Sequence, residues 1–114
     1  MSRRSKLFLE DIIESCQRVR KYSTGLSFEQ FSTDERTIDA VVRNLEIIGE
    51  AVKNLPAELT DAQPEINWKN IARFRDIVVH HYFKIDMDVV WDIVLNKIVP
   101  LEEAVSYLSS LEQQ

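Results

Sequence analysis

The residues that could do chemistry are concentrated in one run, FRDIVVHHY at positions 74–82, which contains Arg75, Asp76, His80, His81 and Tyr82. Histidine exchanges protons near neutral pH, and the planar fork of an arginine fits phosphate oxygens. Cleavage of RNA without a metal needs a group that takes the 2′-hydroxyl proton, a group that protonates the leaving oxygen, and a cation for the developing charge. Arg75 and His80 could therefore support metal-free phosphodiester chemistry.

The same run also fits a structural role. Arg75 could form an interhelical ion pair with Glu46 or Glu50, His80 could be a helix-end histidine, and the Tyr82 ring could pack in the core. Ion pairs between helices are common, so composition and spacing alone favour this interpretation.

Helical periodicity makes Arg75 unusual. At about 100° per residue, the apolar residues of a helix over 68–82 share one arc, roughly 120° wide, with Arg75 in its middle; they are Trp68, Ile71, Ala72, Val78, Val79 and Tyr82. A charge on a core-facing stripe costs several kcal/mol, roughly, unless it is paired or faces a wet cavity. Rules of this kind tend to be broken at functional sites.

Arg75 and His80 are five residues apart, which places them about 140° around a helix. They can converge through the long arginine side chain, through loosening of the helix after His80, or across a second copy of the chain. Asp76 lies four residues before His80 and shares its side of the helix, as does Arg73.

Length and composition indicate one helical domain. The chain has 114 residues, of which 45% are hydrophobic, and only two glycines and three prolines. So few turn formers argue against many short strands and predict an all-α, compact antiparallel bundle of four or five helices. The net charge of −5 gives no general attraction to nucleic acid, so RNA contacts would need a local basic patch. The candidates are Arg3, Arg4, Lys6, Lys69, Arg73 and Arg75.

Several other kinds of site are excluded by the residues present. A single cysteine, Cys16, allows neither an internal disulfide nor a cysteine-based zinc cluster, and its place on an apolar helical face predicts a core residue. Two isolated glycines cannot form a phosphate-binding loop. The adjacent His80 and His81 point about 100° apart on a helix and are poorly placed to chelate a metal. No signal peptide or membrane span is visible, so we expect a cytoplasmic protein.

Local signals divide the chain into helices. We expect a first helix over 5–22, a link over 26–31 that its phenylalanines tie to the core, and a second helix opened by a capping box of Ser32 and Glu35. Gly49 falls on the apolar line of that second helix, where a missing side chain lets another helix approach closely. Asn67 is a candidate N-cap for the central helix, and Asp86 or Asp88 for the last one. Pro100 either kinks the last helix or starts another.

The run RDIVVHHY matches the RX4HXY motif, and the chain resembles HepT-like proteins of the HEPN superfamily. The resemblance extends over about 38–103 and rests on four further segments in the family's order: VVRNLEIIGEAVKNLP (41–56), PEINWKNIARFRD (64–76), HYFKID (81–86) and VVWDIVLNKIVPLEE (89–103). A bare R-x4-H would be weak evidence, whereas this succession of segments is specific.

The resemblance implies a dimeric HEPN-like domain over 1–114 that acts as a metal-independent endoribonuclease without a cofactor. Such proteins are toxins of two-gene toxin–antitoxin pairs (type II/VII-like) and cleave transfer or messenger RNA. By matching position, Arg75 and His80 would be catalytic, and Asp76 would be the supporting polar residue. Tyr82 would receive AMP from a partner, a minimal nucleotidyltransferase of the MntA type, which silences the toxin. Lys69 and Arg73 are possible RNA contacts.

Two other functions stay open at this point. A non-catalytic helical module could use the motif to hold a nucleotide or a partner protein, and a dimeric bundle could use Arg75 only for structure. The overall acidity is poor for a general RNA-binding protein.

Overall fold

The chain folds as an array of helices in the computed structural model, which describes residues 1–111. No β-strand occurs in this range, so the prediction of an all-α fold is confirmed. The helices are α1 (Arg3–Ser23), α2 (Phe28–Ser32), α3 (Glu35–Lys53), α4 (Ala57–Asp61), α5 (Trp68–His81), α6 (Met87–Asp92) and α7 (Ile98–Leu111). None of the described helices is both long enough and apolar enough to cross a membrane.

Helix α3 is the centre of the array. It packs against α1 on one side and α5 on the other, and α1 packs in turn against α7. The core between them consists mainly of aliphatic residues that are at most 4% exposed, among them Leu9, Ile12, Val19, Val41, Val42, Ile48, Val90, Ile98, Val105 and Leu108. Helix α5 is different: it packs chiefly against α3, and Val78 is its one buried residue. The helix that carries the motif is therefore an edge helix.

The link before α3 is tied to the core, as predicted, and forms the short helix α2. Phe31 is fully buried and stacks on Trp91, with ring centroids 5.0 Å apart. The capping box, however, lies at Ser27 and Gln30, at the start of α2.

The prediction that Ser32 caps α3 is wrong. Asp34 is the N-cap, because its carboxylate accepts a hydrogen bond from the backbone N–H of Thr37 at 3.2 Å. Ser32 closes α2 instead and donates to the Glu29 carbonyl oxygen. Aspartate and serine are comparable N-caps, and the short helix α2 occupies the position that Ser32 would need.

Two other local signals are confirmed. Asn67 caps α5 by accepting from the Asn70 N–H, and Asp86 caps α6 by accepting from the Asp88 N–H. Gly25 ends the first helical segment with a φ of +81°, a left-handed conformation that suits glycine.

Pro100 lies inside α7, two residues after its first residue Ile98, so the alternative that it starts a helix is wrong. Residues Ile93–Lys97, just before it, form a π-helical turn that joins α6 to α7 without a gap. A proline removes one helical hydrogen bond, and its ring crowds the carbonyl four residues earlier, here that of Asn96. The wider π turn contains Asn96 and so relieves the crowding.

Gly49 brings α3 and α5 together, as predicted. A Cβ atom built at Gly49 would lie 2.3 Å from the Cβ of Arg75 and 3.1 Å from the carbonyl oxygen of Ile71. Only a glycine therefore permits this crossing, which is centred on the turn of α5 that carries Arg75.

The apolar arc predicted for α5 is correct only in part. Val78 is buried, and Trp68, Ile71 and Ala72 are partly buried against the core, but Val79 is 44% exposed and Tyr82 is 39% exposed. The reason is the edge position of the helix, since one neighbour, α3, cannot cover the whole arc. The helix also ends at His81, and Tyr82–Lys84 form a 3₁₀ turn.

Candidate active site on the edge helix α5

Arg75 projects from α5 across the crossing point with α3. Its Nε lies 3.0 Å from Oε2 of Glu50 on α3, an ion-pair distance without hydrogen-bond alignment, and its Nη1 donates to Oδ1 of Asp76 at 3.1 Å. The interhelical pair with Glu50 is one of the two that the structural interpretation anticipated. The side chain as a whole is nevertheless 25% exposed, although its Nε atom is buried.

An open cleft of about 210 Å³ leads to Arg75. Its walls come from α1, from α3 and from Arg75 itself; the lining residues are Phe8, Asp11, Arg43, Glu46, Ile47, Glu50, Ala51 and Arg75. Asp39, Arg43, Glu46 and Glu50 share one side of α3, which we call its charged side. Three carboxylates thus face two guanidinium groups, so the cleft of a single chain has an acidic balance. A phosphate can approach Arg75 here only if it displaces Glu50 or if further cations are brought to the site.

Asp76 interacts with both Arg75 and His80. It accepts the hydrogen bond from Arg75, lies 3.7 Å from Nζ of Lys53, and is within electrostatic reach of His80 one helical turn later. The hydrogen bond from Arg75 is the main cause that lowers the pKa of Asp76, and the charge of Lys53 adds to it. Asp76 therefore stays ionised at neutral pH and can orient the side chains of Arg75 and Lys53.

His80 is exposed. One of the three routes by which Arg75 and His80 could meet is not taken in the single chain, because the Arg75 side chain is engaged with Glu50 and Asp76. The helix does loosen directly after His80: α5 ends at His81, whose φ of −137° and ψ of 38° are not helical.

Tyr82 lies in the 3₁₀ turn, and its hydroxyl donates a hydrogen bond to Oδ1 of Asp39 on α3. This bond is the main cause that raises the pKa of Tyr82 to about 12, and the negative charges of Asp39 and Glu35 act in the same direction. The phenol is therefore firmly protonated at neutral pH, although part of its ring is exposed to solvent.

Lys69 and Arg73 are both exposed on α5, on the side of the helix that also carries His80. This helix side therefore presents two cations and an imidazole beside the carboxylate of Asp76. An acidic chain would need a local group of cations to bind RNA.

Sequence reasoning missed Asp39 as the partner of Tyr82 and Lys53 as a neighbour of Asp76. A signal for Asp39 was present, because Gly49 fixes where the antiparallel helices α3 and α5 cross. At about 1.5 Å per residue, the stretch of α3 from Gly49 back to Asp39 runs beside the stretch of α5 from Arg75 to its end. The charged side of α3 thereby reaches Tyr82.

The sequence is similar to those of several known proteins. The family model described as Ribonuclease HepT-like matches residues 12–108. "Putative RNase MJ0127" of Methanocaldococcus jannaschii is 44% identical over 93 residues, which is 82% of this chain and 77% of that protein. "Probable ribonuclease HepT" of Thermococcus cleftensis is 42% identical over 102 residues, covering 90% of this chain and 93% of the relative.

A bacterial relative is similar over almost its whole length. "Putative RNase TTE0752" of Caldanaerobacter subterraneus subsp. tengcongensis is 40% identical over 106 residues, or 93% of this chain and 95% of that protein. No solved structure matches the chain. The family model covers most of the chain, including all of the motif helix α5, and the three relatives exceed 30% identity over most of both sequences, so this chain belongs to the HepT-like ribonuclease family.

Proposed function

We propose that this protein is a metal-independent endoribonuclease in which Arg75 and His80 carry out cleavage of cytoplasmic transfer or messenger RNA. The observation that carries the proposal is the position of Arg75, whose side chain is a quarter exposed and lines an open cleft. A structural ion pair sealed in the interior could not meet a phosphate. Membership of a ribonuclease family supports the same conclusion.

In this proposal the residues have distinct roles. Arg75 neutralises the charge that develops on the phosphorane, because its guanidinium is always protonated and offers paired donors. His80 transfers protons, as general base to the 2′-hydroxyl or as general acid to the leaving 5′-oxygen. Asp76 positions Arg75 through its hydrogen bond, and Lys69 and Arg73 hold the RNA backbone.

A homodimer would bring Arg75 and His80 into one groove. Helix α5 packs chiefly against one neighbouring helix, α3, and apolar side chains on α5 and just after it are left in water. Ile77 is 40% exposed and Phe83 is 99% exposed. Pairing two copies through this region would bury these side chains, would add a second set of cations to an acidic site, and would let one His80 act as base and its symmetry mate as acid.

We further propose that the chain is the toxin of a toxin–antitoxin pair and that AMP transfer to Tyr82 by an MntA-like nucleotidyltransferase silences it. Tyr82 follows α5 directly, so an adenylate there would place a bulky group and a negative phosphate beside the motif. This would obstruct the groove and compete with RNA for the cations.

The experiment that tests the nuclease compares two adjacent histidines. Purified His80→Ala should lose cleavage of a mixed transfer and messenger RNA substrate in the presence of a chelator, by about 10²-fold or more. His81→Ala is the matched control: it removes the same ring one position away and should keep wild-type activity. Equal activity of all three proteins would overturn the assignment and favour a non-catalytic binding module.

A further inference from the structure

The charged side of α3 reaches the tyrosine that follows the motif helix. Tyr82 is one of three tyrosines in the chain, and its hydroxyl donates to a carboxylate of another helix. Tyr22 and Tyr107 are 38% and 56% exposed, so exposure alone does not distinguish Tyr82, which is 39% exposed. What distinguishes Tyr82 is its hydrogen bond to the carboxylate of Asp39.

A hydroxyl nucleophile is weak while it keeps its proton, and it is activated when an adjacent base can take that proton during attack. Tyr82 and Asp39 have this arrangement: the phenolic O–H points at Oδ1, and both side chains are exposed to an incoming reagent. The carboxylate also disfavours a free phenolate by its charge. The proton can therefore leave only as the new bond forms, which is general-base catalysis and not prior ionisation.

From this juxtaposition we infer that Asp39 is the proton acceptor for nucleotidyl transfer to Tyr82, so that the target protein itself supplies the base. The inference rests on the proposed modification of Tyr82 by a nucleoside triphosphate. In the step, Oη of Tyr82 bonds to the α-phosphorus of ATP while the bond from that phosphorus to the bridging oxygen breaks. Pyrophosphate leaves with the electron pair, and the phenolic proton passes to Oδ1 of Asp39 and then to water.

Glu35 provides a matched control on the same helix. Its charge acts on Tyr82 in the same direction as that of Asp39, but only Asp39 accepts the hydrogen bond. Asp39→Asn and Glu35→Gln each remove one negative charge with almost no change in volume. A purely electrostatic influence would make Tyr82 more reactive in both variants, because each removes a negative charge that disfavours the phenolate. Loss of the proton acceptor would instead slow Asp39→Asn alone.

The first test needs no partner protein. The isolated chain is treated with a fluorophosphonate reagent, which phosphorylates hydroxyl nucleophiles, and labelling of each tyrosine is followed by mass spectrometry. Tyr82 should be labelled faster than Tyr22 and Tyr107, at a rate nearly constant between about pH 6 and 9. Asp39→Asn should slow Tyr82 by about 10²-fold and make its labelling rise with pH, while Glu35→Gln should change it by less than about threefold. Two results would overturn the inference. One is labelling of Tyr82 that is slower than labelling of Tyr22, and the other is labelling of Tyr82 at the same rate in Asp39→Asn as in the wild-type chain.

The second test uses ATP and an MntA-like nucleotidyltransferase, the partner that the proposed function requires. Asp39→Asn should lower kcat for AMP transfer by about 10²-fold with little change in the KM for the acceptor protein, and it should keep ribonuclease activity, which shows that it is folded. An unchanged kcat would overturn the inference. A wild-type chain that accepts no AMP would refute the proposed silencing instead, and the reagent test would still decide the role of Asp39.

Discussion

Replacing Gly49 by alanine should separate α3 from α5 and displace Arg75. The added Cβ would lie 2.3 Å from the Cβ of Arg75, whereas two carbon atoms in contact ordinarily lie at least about 3.5 Å apart. The Arg75 Cβ is fixed to the backbone and cannot rotate away, so α5 must move by roughly 1 Å. The carbonyl oxygen of Ile71, 3.1 Å from the new atom, resists a smaller adjustment.

The expected loss of stability follows from two opposing effects. Overpacking of this kind costs about 1–3 kcal/mol, and the rigid contact puts this case near the upper end. Alanine is better than glycine within a helix by about 1 kcal/mol. Gly49→Ala should therefore lower the free energy of unfolding by about 2 kcal/mol, as measured by urea unfolding. Ribonuclease activity should fall further, by up to about 10²-fold, because a shift of about 1 Å misplaces a catalytic group.

Gly25→Ala is the contrasting variant. A Cβ at Gly25 meets nothing within 4 Å, but its φ of +81° is unfavourable for alanine by roughly 1–2 kcal/mol. It should lose stability and keep its specific activity. A double-mutant cycle sharpens the result: Arg75→Gly should remove most of the penalty of Gly49→Ala, whereas Arg75→Ala, which keeps the Cβ, should not. Wild-type stability and activity in Gly49→Ala would refute the proposed role of the crossing.

Three further outcomes are expected. Tyr82→Phe should keep ribonuclease activity and toxicity in cells but escape silencing by the nucleotidyltransferase; loss of toxicity would assign the hydroxyl to catalysis. Burial raises the pKa of the Cys16 thiol from 9.0 to about 12, so above about pH 9 the unfolded chain loses a proton that the folded chain keeps, and the free energy of unfolding falls as pH rises. In urea titrations at pH 8 to 10, Cys16→Ala should lack this early part of the decline, and an identical decline would contradict the assignment. The double variant Lys69→Ala/Arg73→Ala should bind RNA more weakly and reduce the dependence of log affinity on log salt by about 1 to 2; an unchanged slope would exclude these side chains as phosphate contacts.

Much of the fold was predictable because the signals that set it are local. Asn67 and Asp86 precede apolar runs and cap helices with their own side chains, and Gly49 occupies an apolar line where a side chain would be expected. The mistaken cap at Ser32 shows the limit of such signals. Ser32 and Asp34 are both suitable N-caps and lie two positions apart. Which of them caps α3 depends on the short helix α2, which forms because Phe31 packs on Trp91.

The parts of the site that depend on helix packing were less predictable. The Glu50 partner of Arg75 could be named as one of two because it lies on the charged side of α3. Val79 and Tyr82 were expected in the core, but their exposure depends on α5 having one neighbouring helix, which periodicity does not encode. The bond from Tyr82 to Asp39 requires the register of two antiparallel helices, and only the crossing at Gly49 carries that information.

The chemistry of the products tests the central claim most directly. An RNA oligonucleotide is cleaved by the purified protein in excess chelator, and the same oligonucleotide carries a single 2′-deoxy substitution at the main cleavage site in a parallel reaction. Metal-free attack by the 2′-hydroxyl predicts products ending in 2′,3′-cyclic phosphate and 5′-hydroxyl, and no cleavage at the substituted position. Cleavage of the substituted RNA at the same position, with 5′-phosphate ends, would contradict the roles given to Arg75 and His80.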